Sequence, residues 1–376
     1  MKPYEHGGNV YDYQGNLIDF SSNINPLGPP EWIWETIKEV DLSRYPDIRY
    51  RRLREAIAEY VGYGKENIIV GNGAAELIHL FVRAFKLKKP LIPSPSFLEY
   101  ERAVKLNGGE PVYLKLEEEE GFKVNFAKVL SKIEEADGLI LGNPNNPTGQ
   151  GIIREEIGIL LKKAELMDIP VLIDEAFIEF MKDYKKYEAL PLVKKHDKLF
   201  VVRAVTKFFG MPGIRLGYGI GSPSLIQKLE EYKEPWTVNA FAEAVGRWLF
   251  KDREYIEKTR EYVNAEIEHM LFSLRTIDYL VTFDTKVNFV LLKLKEGTVD
   301  EVKEKLLKRG ILIRDASNFR YLDKRFFRVA VKKREDNLQL IEALRGLFGE
   351  EVMPDKERVV VGWGNFSNRG SKVRKK

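Results

Sequence analysis

Apolar and polar residues alternate along the chain with two different periods. In residues 49–61 and 154–167 the apolar residues recur every three or four positions, which predicts amphipathic helices. Between the helical stretches lie short, almost wholly apolar runs, among them IIVG, LIPSP, GLILGNP, PVLIDEAF and KLFVVRAV. Runs of this length, rich in branched residues, are typical of buried strands, and strands separated by helices indicate parallel β-α-β units.

The last third of the chain has a different pattern. Residues 238–275 have long helical spacing, and NFVLLKL and FFRVAVK predict strands around a further helix. We therefore predict an α/β fold with a large domain over residues 31–240, built on a mostly parallel central sheet, and a smaller α+β domain over residues 241–350. Residues 1–30 are predicted to form an extended arm that packs with the smaller domain, and residues 351–376 form a basic C-terminal tail.

The composition limits the possible chemistry. The chain has 376 residues, of which 44% are hydrophobic, enough for more than one compact domain. It has no cysteine, which excludes disulfides, thiolate zinc sites and cysteine nucleophiles. Its four histidines are scattered without the spacing of metal ligands, so no metal site is predicted.

The charge is concentrated at one end. The formal net charge is +4, and residues 353–376 hold seven basic and two acidic residues, which leaves the rest of the chain near −1. A nearly neutral body argues against a nucleic-acid partner. No apolar run approaches the ~20 residues that span a bilayer, and the N-terminus lacks the apolar core of a signal peptide. We expect a cytoplasmic protein without a membrane partner.

Three loops after predicted strands carry candidate binding residues. GNGAAEL, residues 71–77, lies between a strand and a helix, where small residues let backbone amides approach an anion; a simple tight turn would look the same. LIDEAF ends a strand with Asp174, which could pair with a cation or serve only as a loop or capping carboxylate. NPNNPTG, residues 143–149, combines two prolines that fix the backbone with asparagines whose amides can reach a ligand.

The segment VTKFFGMPGIRLGYGIG carries the strongest signal. Lys207 follows an apolar run and precedes aromatic residues, surroundings that desolvate an amine and free it to react with a carbonyl. Arg215 lies eight residues further on, where a loop could return it to a phosphate. The alternatives are a lysine that extends to solvent and a surface arginine.

Taken in order, these motifs resemble the fold-type I aminotransferase superfamily. The resemblance runs from about His6 to Leu344, nearly the whole chain. It implies the fold of that superfamily and the cofactor pyridoxal 5′-phosphate, which Lys207 holds as a Schiff base.

The resemblance also implies a role for each matching residue. Lys207 moves protons at the substrate carbon, and Asp174 pairs with the pyridine nitrogen and keeps it protonated, which makes these two the catalytic residues. Asn146 hydrogen-bonds the ring hydroxyl, and Phe97 stacks on the ring. The cofactor's phosphate is assigned to four residues, the alanines acting through their backbone amides: Ala74, Ala75, Thr206 and Arg215.

The resemblance implies two further roles, and the chain departs from the superfamily's pattern at two positions. Tyr45, in RYPD, is expected to reach the cofactor phosphate of a neighbouring subunit, which implies a homodimer with shared active sites. Arg328, in FFRVAV, is expected to bind the substrate carboxylate in bidentate geometry. Phe177 stands where these aminotransferases have a tyrosine that donates to the ring hydroxyl, and Ala204 stands where a hydroxyl residue is expected.

Within the superfamily the chain resembles two families that act on phosphorylated amino compounds, histidinol-phosphate aminotransferase and the threonine-phosphate decarboxylase of cobalamin biosynthesis. The segments HGGNVYDYQGNLIDFSSNINPLGPP, PWTVNAFA and LIRDASNFRYLDKRFFRVAVKKREDN resemble the decarboxylase more closely. This implies decarboxylation of L-threonine O-3-phosphate to (R)-1-aminopropan-2-yl phosphate. The alternative is an aminotransferase that uses 2-oxoglutarate.

The substrate's two anionic groups need basic or polar partners. The candidates are His6, Asn25, Arg314 and Arg328, and the sequence leaves open which arginine takes the phosphate and which the carboxylate. A non-catalytic member of the superfamily, which only binds the cofactor, is expected to lack Lys207 or Asp174. Both are present, so an enzyme is predicted.

Overall fold

The computed structural model describes residues 5–347 of the chain. Within this part the strands are, in chain order, β1 (Ile18–Asp19), β2 (Ile68–Gly71), β3 (Leu91–Ser94), β4 (Val112–Lys115), β5 (Leu139–Gly142), β6 (Val171–Asp174), β7 (Leu199–Ala204), β8 (Gly217–Ile220), β9 (Leu280–Thr282), β10 (Phe289–Leu294), β11 (Ile311–Leu312), β12 (Arg314–Asp315) and β13 (Phe326–Ala330). The α-helices are α1 (Ile33–Lys38), α2 (Arg51–Val61), α3 (Gly73–Ala84), α4 (Leu98–Leu106), α5 (Phe126–Lys132), α6 (Arg154–Leu166), α7 (Val205–Phe208), α8 (Pro223–Glu230), α9 (Ala240–Leu249), α10 (Arg253–Arg275), α11 (Val299–Leu307) and α12 (Arg334–Arg345).

Seven strands form the central sheet, in the order β2-β8-β7-β6-β5-β3-β4. The pairs among β3 to β7 are parallel, and β8 runs antiparallel to both of its neighbours. The predicted α/β fold with a mostly parallel sheet is therefore confirmed. Strand β8 was not predicted, because two of its four residues are glycines, which strands disfavour.

Alternate residues of each central strand pack into cores on opposite faces of the sheet. Ile140 and Leu172 join a core with helices α3, α4 and α8. Their neighbours Leu141 and Ile173 join a larger core with α2, α6, α9 and α10. Burial on both faces explains why these strands are continuous apolar runs rather than alternating ones.

The helical stretch predicted over residues 238–275 is two helices, α9 and α10. The side chain of Asp252 accepts a hydrogen bond from the backbone N–H of Tyr255 at 3.1 Å and caps the start of α10. Helix α9 packs against α1 and α2. The second sheet is antiparallel, with the order β12-β13-β10-β9. Helices α10 and α12 lie in the same part of the chain.

The N-terminal arm is attached to the part of the chain that holds the second sheet. Strand β1 pairs in parallel with β11, Ile18 opposite Ile311. The backbone of Phe20 continues this contact by donating to Leu312 and accepting from Ala330, both at 2.8 Å. The arm is therefore fixed beside the strands that carry Arg314 and Arg328.

Two other expectations concern the ends and the membrane. The predicted C-terminal tail, residues 351–376, lies outside the described residues. Among the helices of residues 5–347, none combines the length and apolarity needed to cross a membrane.

Candidate active site

A cleft of about 410 Å³ lies at the carboxyl ends of the central strands, bordered by the arm and the second sheet. The parallel register brings Gly142 of β5 opposite Asp174 of β6, and Asp174 opposite Val202 of β7, so the loops after these strands meet at one edge. The structure brings eleven predicted site residues to this cleft: His6, Ala74, Ala75, Phe97, Asn146, Asp174, Thr206, Lys207, Arg215, Arg314 and Arg328.

Lys207 lies on α7, the single helical turn that follows the buried strand β7. Burial lowers the pKa of its amine to about 8, and the positive charges of Arg328 and Arg215 act in the same direction. Asp174 and Asp19 oppose them. A larger fraction of this amine is neutral near neutral pH than for an ordinary lysine, which suits attack on a carbonyl.

Asp174 ends β6 with its carboxylate buried. Its Oδ1 accepts from the backbone N–H of Ala176 at 2.9 Å, and its Oδ2 accepts from the Tyr100 hydroxyl at 2.8 Å. Burial raises the pKa of Asp174, although these two donors and Lys207 lower it. Within residues 5–347 no basic side chain forms an ion pair with this carboxylate. A bound cation would therefore supply the counter-charge that a buried carboxylate needs.

The N-terminus of α3 forms an anion site with Arg215. Gly73 begins the helix with φ +77°, and a Cβ there would lie 2.4 Å from the Arg215 guanidinium. A Cβ on Gly217 would lie 2.4 Å from the backbone nitrogen of Ala74. The two glycines thus let β8 and Arg215 approach the helix, where free amides and the helix dipole favour a phosphate.

The asparagines of the NPNNPTG loop have two roles: two of them hold the loop, and the third lines the cleft. Asn143 donates to the carbonyl of Tyr187 at 2.8 Å, and Asn145 donates to the carbonyl of Pro95 at 2.9 Å, so both hold the loop. Asn146 lines the cleft, and its Oδ1 accepts from Arg328. The side-chain amide of Asn146 is therefore directed by an arginine of the second sheet.

Aromatic side chains form one wall of the cleft. Phe97 lines it and meets Tyr100 edge to face, with ring centroids 5.6 Å apart. Phe177 also lines the cleft and packs edge to face on Phe289 at 5.1 Å. Phe177 supplies an apolar surface to the cleft and has no hydroxyl that could donate a hydrogen bond there.

Two buried arginines face each other on the second sheet. Arg314 of β12 lies directly opposite Arg328 of β13, and both line the cleft. Burial and then Arg314 lower the pKa of Arg328 to about 9. Arg328 forms no ion pair within the described part of the chain, although the charge of Asp19 raises its pKa, and its Nε is buried without a hydrogen bond. Like charges directly opposite in a sheet are unfavourable, and an anion in the cleft would offset the repulsion between the two arginines.

Two predicted residues lie away from the cleft. The Asn25 amide is buried and donates to the Phe208 carbonyl, the Tyr255 hydroxyl and Thr259, while its Oδ1 accepts from Leu27. The polar atoms of Asn25 hold the arm against α7 and α10, and its expected contact with the substrate stays a prediction. Tyr45 is 80% exposed, does not line the cleft of its own chain, and packs against Trp236 with the rings tilted and their centroids 4.7 Å apart.

Several residues of the cleft were not predicted from the sequence. Tyr100 is one of them, although its position three residues after Phe97 places both on one side of α4. Asn23, two residues before Asn25, lines the cleft, and its buried Oδ1 has no hydrogen-bond partner. Glu99 lines the cleft as well. No group of residues in the described part could hold a metal ion.

Comparison with known proteins places this cleft in a family. The profile "Aminotransferase class I and II" matches residues 15–344. A protein of Caldanaerobacter subterraneus subsp. tengcongensis named "Putative threonine-phosphate decarboxylase" is 94% identical over 361 residues, 96% of this chain and 98% of that protein. Two crystal structures each cover 87% of this chain and 98% of their own: the histidinol-phosphate aminotransferase from Clostridium acetobutylicum (38% identity, TM-score 0.82) and L-threonine-O-3-phosphate decarboxylase from Porphyromonas gingivalis (27% identity, TM-score 0.76).

The chain belongs to the aminotransferase class I and II family, which confirms the predicted resemblance. It is therefore an enzyme that depends on pyridoxal 5′-phosphate. The cleft fits this cofactor: the buried Asp174 carboxylate forms no ion pair within residues 5–347, the Lys207 amine has a lowered pKa, and the α3 N-terminus with Arg215 suits a phosphate.

Proposed function

We propose that this enzyme decarboxylates L-threonine O-3-phosphate to (R)-1-aminopropan-2-yl phosphate. The observation that carries the proposal is the buried pair Arg314 and Arg328, which face each other at the cleft. Their mutual repulsion is relieved when a ligand brings negative charge. A phosphorylated amino acid supplies two anionic groups on one small molecule, a phosphate and a carboxylate.

The residues that would hold the cofactor surround the cleft. Lys207 would bind it covalently through its amine, Asp174 would face the pyridine nitrogen and Asn146 the ring hydroxyl, and Phe97 would stack on the ring. The phosphate would be held by the backbone amides of Ala74 and Ala75 and by the side chains of Thr206 and Arg215. When bound, pyridoxal 5′-phosphate supplies an electron-withdrawing ring that accepts the electron pair of the bond that breaks.

The residues of the chain decide which bond to the α-carbon breaks. That bond must lie perpendicular to the ring plane, so a decarboxylase has to hold the substrate carboxylate out of that plane. Contacts between the arginines and both anionic groups can impose this rotation with binding energy from the phosphate end. Lys207, with a pKa of about 8, is suited to deliver the proton that replaces the carboxylate.

One observation favours a second function. The histidinol-phosphate aminotransferase from Clostridium acetobutylicum resembles this chain at 38% identity, more than the 27% of the decarboxylase from Porphyromonas gingivalis. An aminotransferase would use the same cleft to bind histidinol phosphate, which has a phosphate but no carboxylate. The co-substrate 2-oxoglutarate, however, has two carboxylates that can occupy both arginines, so the arginine pair alone does not separate the two functions. We favour the decarboxylase because the relative named "Putative threonine-phosphate decarboxylase" is 94% identical.

We further propose that the enzyme works as a cytoplasmic homodimer with shared active sites. The supporting observation is Tyr45, which packs against the half-exposed Trp236 on the surface. An exposed aromatic pair of this kind is typical of an interface. Tyr45 would then contact the cofactor phosphate of the other subunit.

A substrate comparison tests the function. Purified holoenzyme is given O-phospho-L-threonine, L-threonine, or histidinol phosphate with 2-oxoglutarate, and the products are identified by mass spectrometry. The proposal predicts aminopropanol phosphate from O-phospho-L-threonine and little product from threonine. Glutamate formed from 2-oxoglutarate with histidinol phosphate, and no aminopropanol phosphate, would assign the aminotransferase function instead.

A further inference from the structure

Residues 5–8, which we call the strap, connect the two sides of the cleft. On the second-sheet side the carbonyl of Glu5 accepts from Arg314 Nη2 at 2.6 Å and from the Asn318 amide at 3.1 Å. The backbone N–H of Gly8 donates to Ser21 Oγ at 2.7 Å. A Cβ on Gly7 would lie 2.0 Å from the carbonyl oxygen of Ser21, so the strap lies directly against a later part of the N-terminal arm.

On the central-sheet side the strap has one ionic contact. His6 Nε2 lies 2.8 Å from Oε1 of Glu99 on α4. The Glu99 side chain is only 7% exposed, and it also contacts His79 at 2.9 Å and Arg102 at 3.1 Å. Despite burial, these partners hold the pKa of Glu99 well below its ordinary value, with His6 the largest contributor among them.

The two oxygens of Glu99 serve different partners. Oε1 contacts His6 and Arg102, whereas Oε2 contacts His79 at the opposite end of the carboxylate. When both imidazole nitrogens carry a proton, a carboxylate that accepts from one of them fixes the ring orientation and leaves the other N–H to donate to an anion. His6 lines the cleft beside Phe97, with ring centroids 5.6 Å apart, so its Nδ1 is the nitrogen left for a ligand.

We propose that Glu99 is a positioning residue that acts through His6: it holds the strap across the cleft and orients the imidazole toward the substrate's phosphate. This inference rests on the proposed function, in which the substrate carries a phosphate. The strap is held from both sides of the cleft, because its His6 contacts Glu99 and its Glu5 carbonyl accepts from Arg314. Glu99 therefore contributes to substrate specificity without contacting the substrate.

Binding of a non-reacting ligand tests the inference. O-Phosphoethanolamine has an amine and a phosphate but no carboxylate to lose, and ethanolamine lacks the phosphate. Holoenzyme is titrated with each by calorimetry, for the wild type and for Glu99→Gln, His6→Ala and the double variant. The matched control is His79→Asn, which removes the partner of Oε2 and leaves the His6 contact in place.

We expect Glu99→Gln and His6→Ala each to weaken binding of O-phosphoethanolamine by about tenfold, the scale of one charge-assisted hydrogen bond. The double variant should bind no more weakly than His6→Ala alone, because Glu99 acts through His6. Ethanolamine binding and the His79→Asn control should not change. A merely structural role of Glu99 would weaken both ligands alike.

Two results would overturn the inference in different ways. If the wild type prefers O-phosphoethanolamine and Glu99→Gln retains this preference, or if the two substitutions are additive, Glu99 does not position His6 and the proposed function stands. If the wild type itself shows no preference for the phosphorylated ligand, the proposed function fails and the inference fails with it. A melting temperature and cofactor absorbance equal to the wild type show that each variant is folded and loaded.

Discussion

Replacing Arg328 by methionine is expected to stabilise the cofactor-free protein while abolishing the binding of an anionic substrate. Arg328 is 5% exposed, lies opposite Arg314, and forms no ion pair within residues 5–347, although the charge of Asp19 partly offsets its own. Methionine has a similar length and adapts to irregular apolar surroundings. A buried charge that serves to bind a ligand destabilises the protein when no ligand is bound. Replacing the charged residue by an apolar one removes this destabilisation.

The pKa of Arg328 gives the magnitude. It falls from an ordinary 12.5 to about 9, which corresponds to a cost on the order of 5 kcal/mol for the buried charge. Methionine also loses the hydrogen bonds to Asn146 Oδ1 and to the carbonyl of Ser21, about 1.5 kcal/mol each. The net expectation is a gain of roughly 2 kcal/mol, or a rise of a few degrees in melting temperature.

Thermal denaturation of the cofactor-free proteins at pH 7 measures this effect. The matched control is Arg325→Met, three residues earlier, whose half-exposed side chain pairs with Asp323 and whose replacement should leave the melting temperature close to that of the wild type. A lower melting temperature for Arg328→Met than for the wild type at pH 7 would refute the reasoning, because Arg328 would then stabilise the fold rather than await a ligand.

The other predictions concern the cofactor and the assembly. Lys207→Ala should remove the visible absorbance of covalently held cofactor and at least ~10³-fold of activity, since a nucleophile and a proton-transfer group are lost together; an active variant with that absorbance would show that another lysine serves. In the wild type the rate at which cofactor-free protein takes up pyridoxal 5′-phosphate should rise with pH through about 8, where the Lys207 amine becomes neutral, and a rate independent of pH would contradict its lowered pKa. Asp174→Asn keeps the shape and removes the charge, so single-turnover rates should fall on the order of 10²-fold, and unchanged rates would argue against its pairing with the ring. Mixing inactive Tyr45→Ala and Lys207→Ala chains should restore part of the activity in mixed dimers, whereas a fully active monomer in sedimentation experiments would exclude shared sites.

The sequence predicted those parts of the site that depend on local order. Lys207 and Asp174 each follow a buried apolar strand, and the carboxyl ends of neighbouring parallel strands meet at one edge. Strand ends can be located from the chain alone, because the apolar runs that form the strands are local. The same reasoning located the Gly73 turn and the loop that carries Asn146.

Residues whose neighbours come from distant segments could not be placed in this way. The register of β12 against β13 sets Arg314 opposite Arg328, and nothing local specifies it. In the arm, Asn23 and Asn25 have the same chemistry two residues apart. Only the packing of Asn25 against Tyr255 and Thr259 of α10 decides that Asn23 is the one left at the cleft.

Carbon dioxide release without an acceptor tests the central claim most directly. Holoenzyme free of any oxo acid is given excess O-phospho-L-threonine labelled at its carboxyl carbon, and labelled carbon dioxide is counted per active site. An aminotransferase passes the substrate's amine to an acceptor such as 2-oxoglutarate and stops after one turnover without it. We predict many molecules of carbon dioxide per site, at a rate that added 2-oxoglutarate does not change. No labelled carbon dioxide, together with turnover of histidinol phosphate that depends on 2-oxoglutarate, would contradict the account.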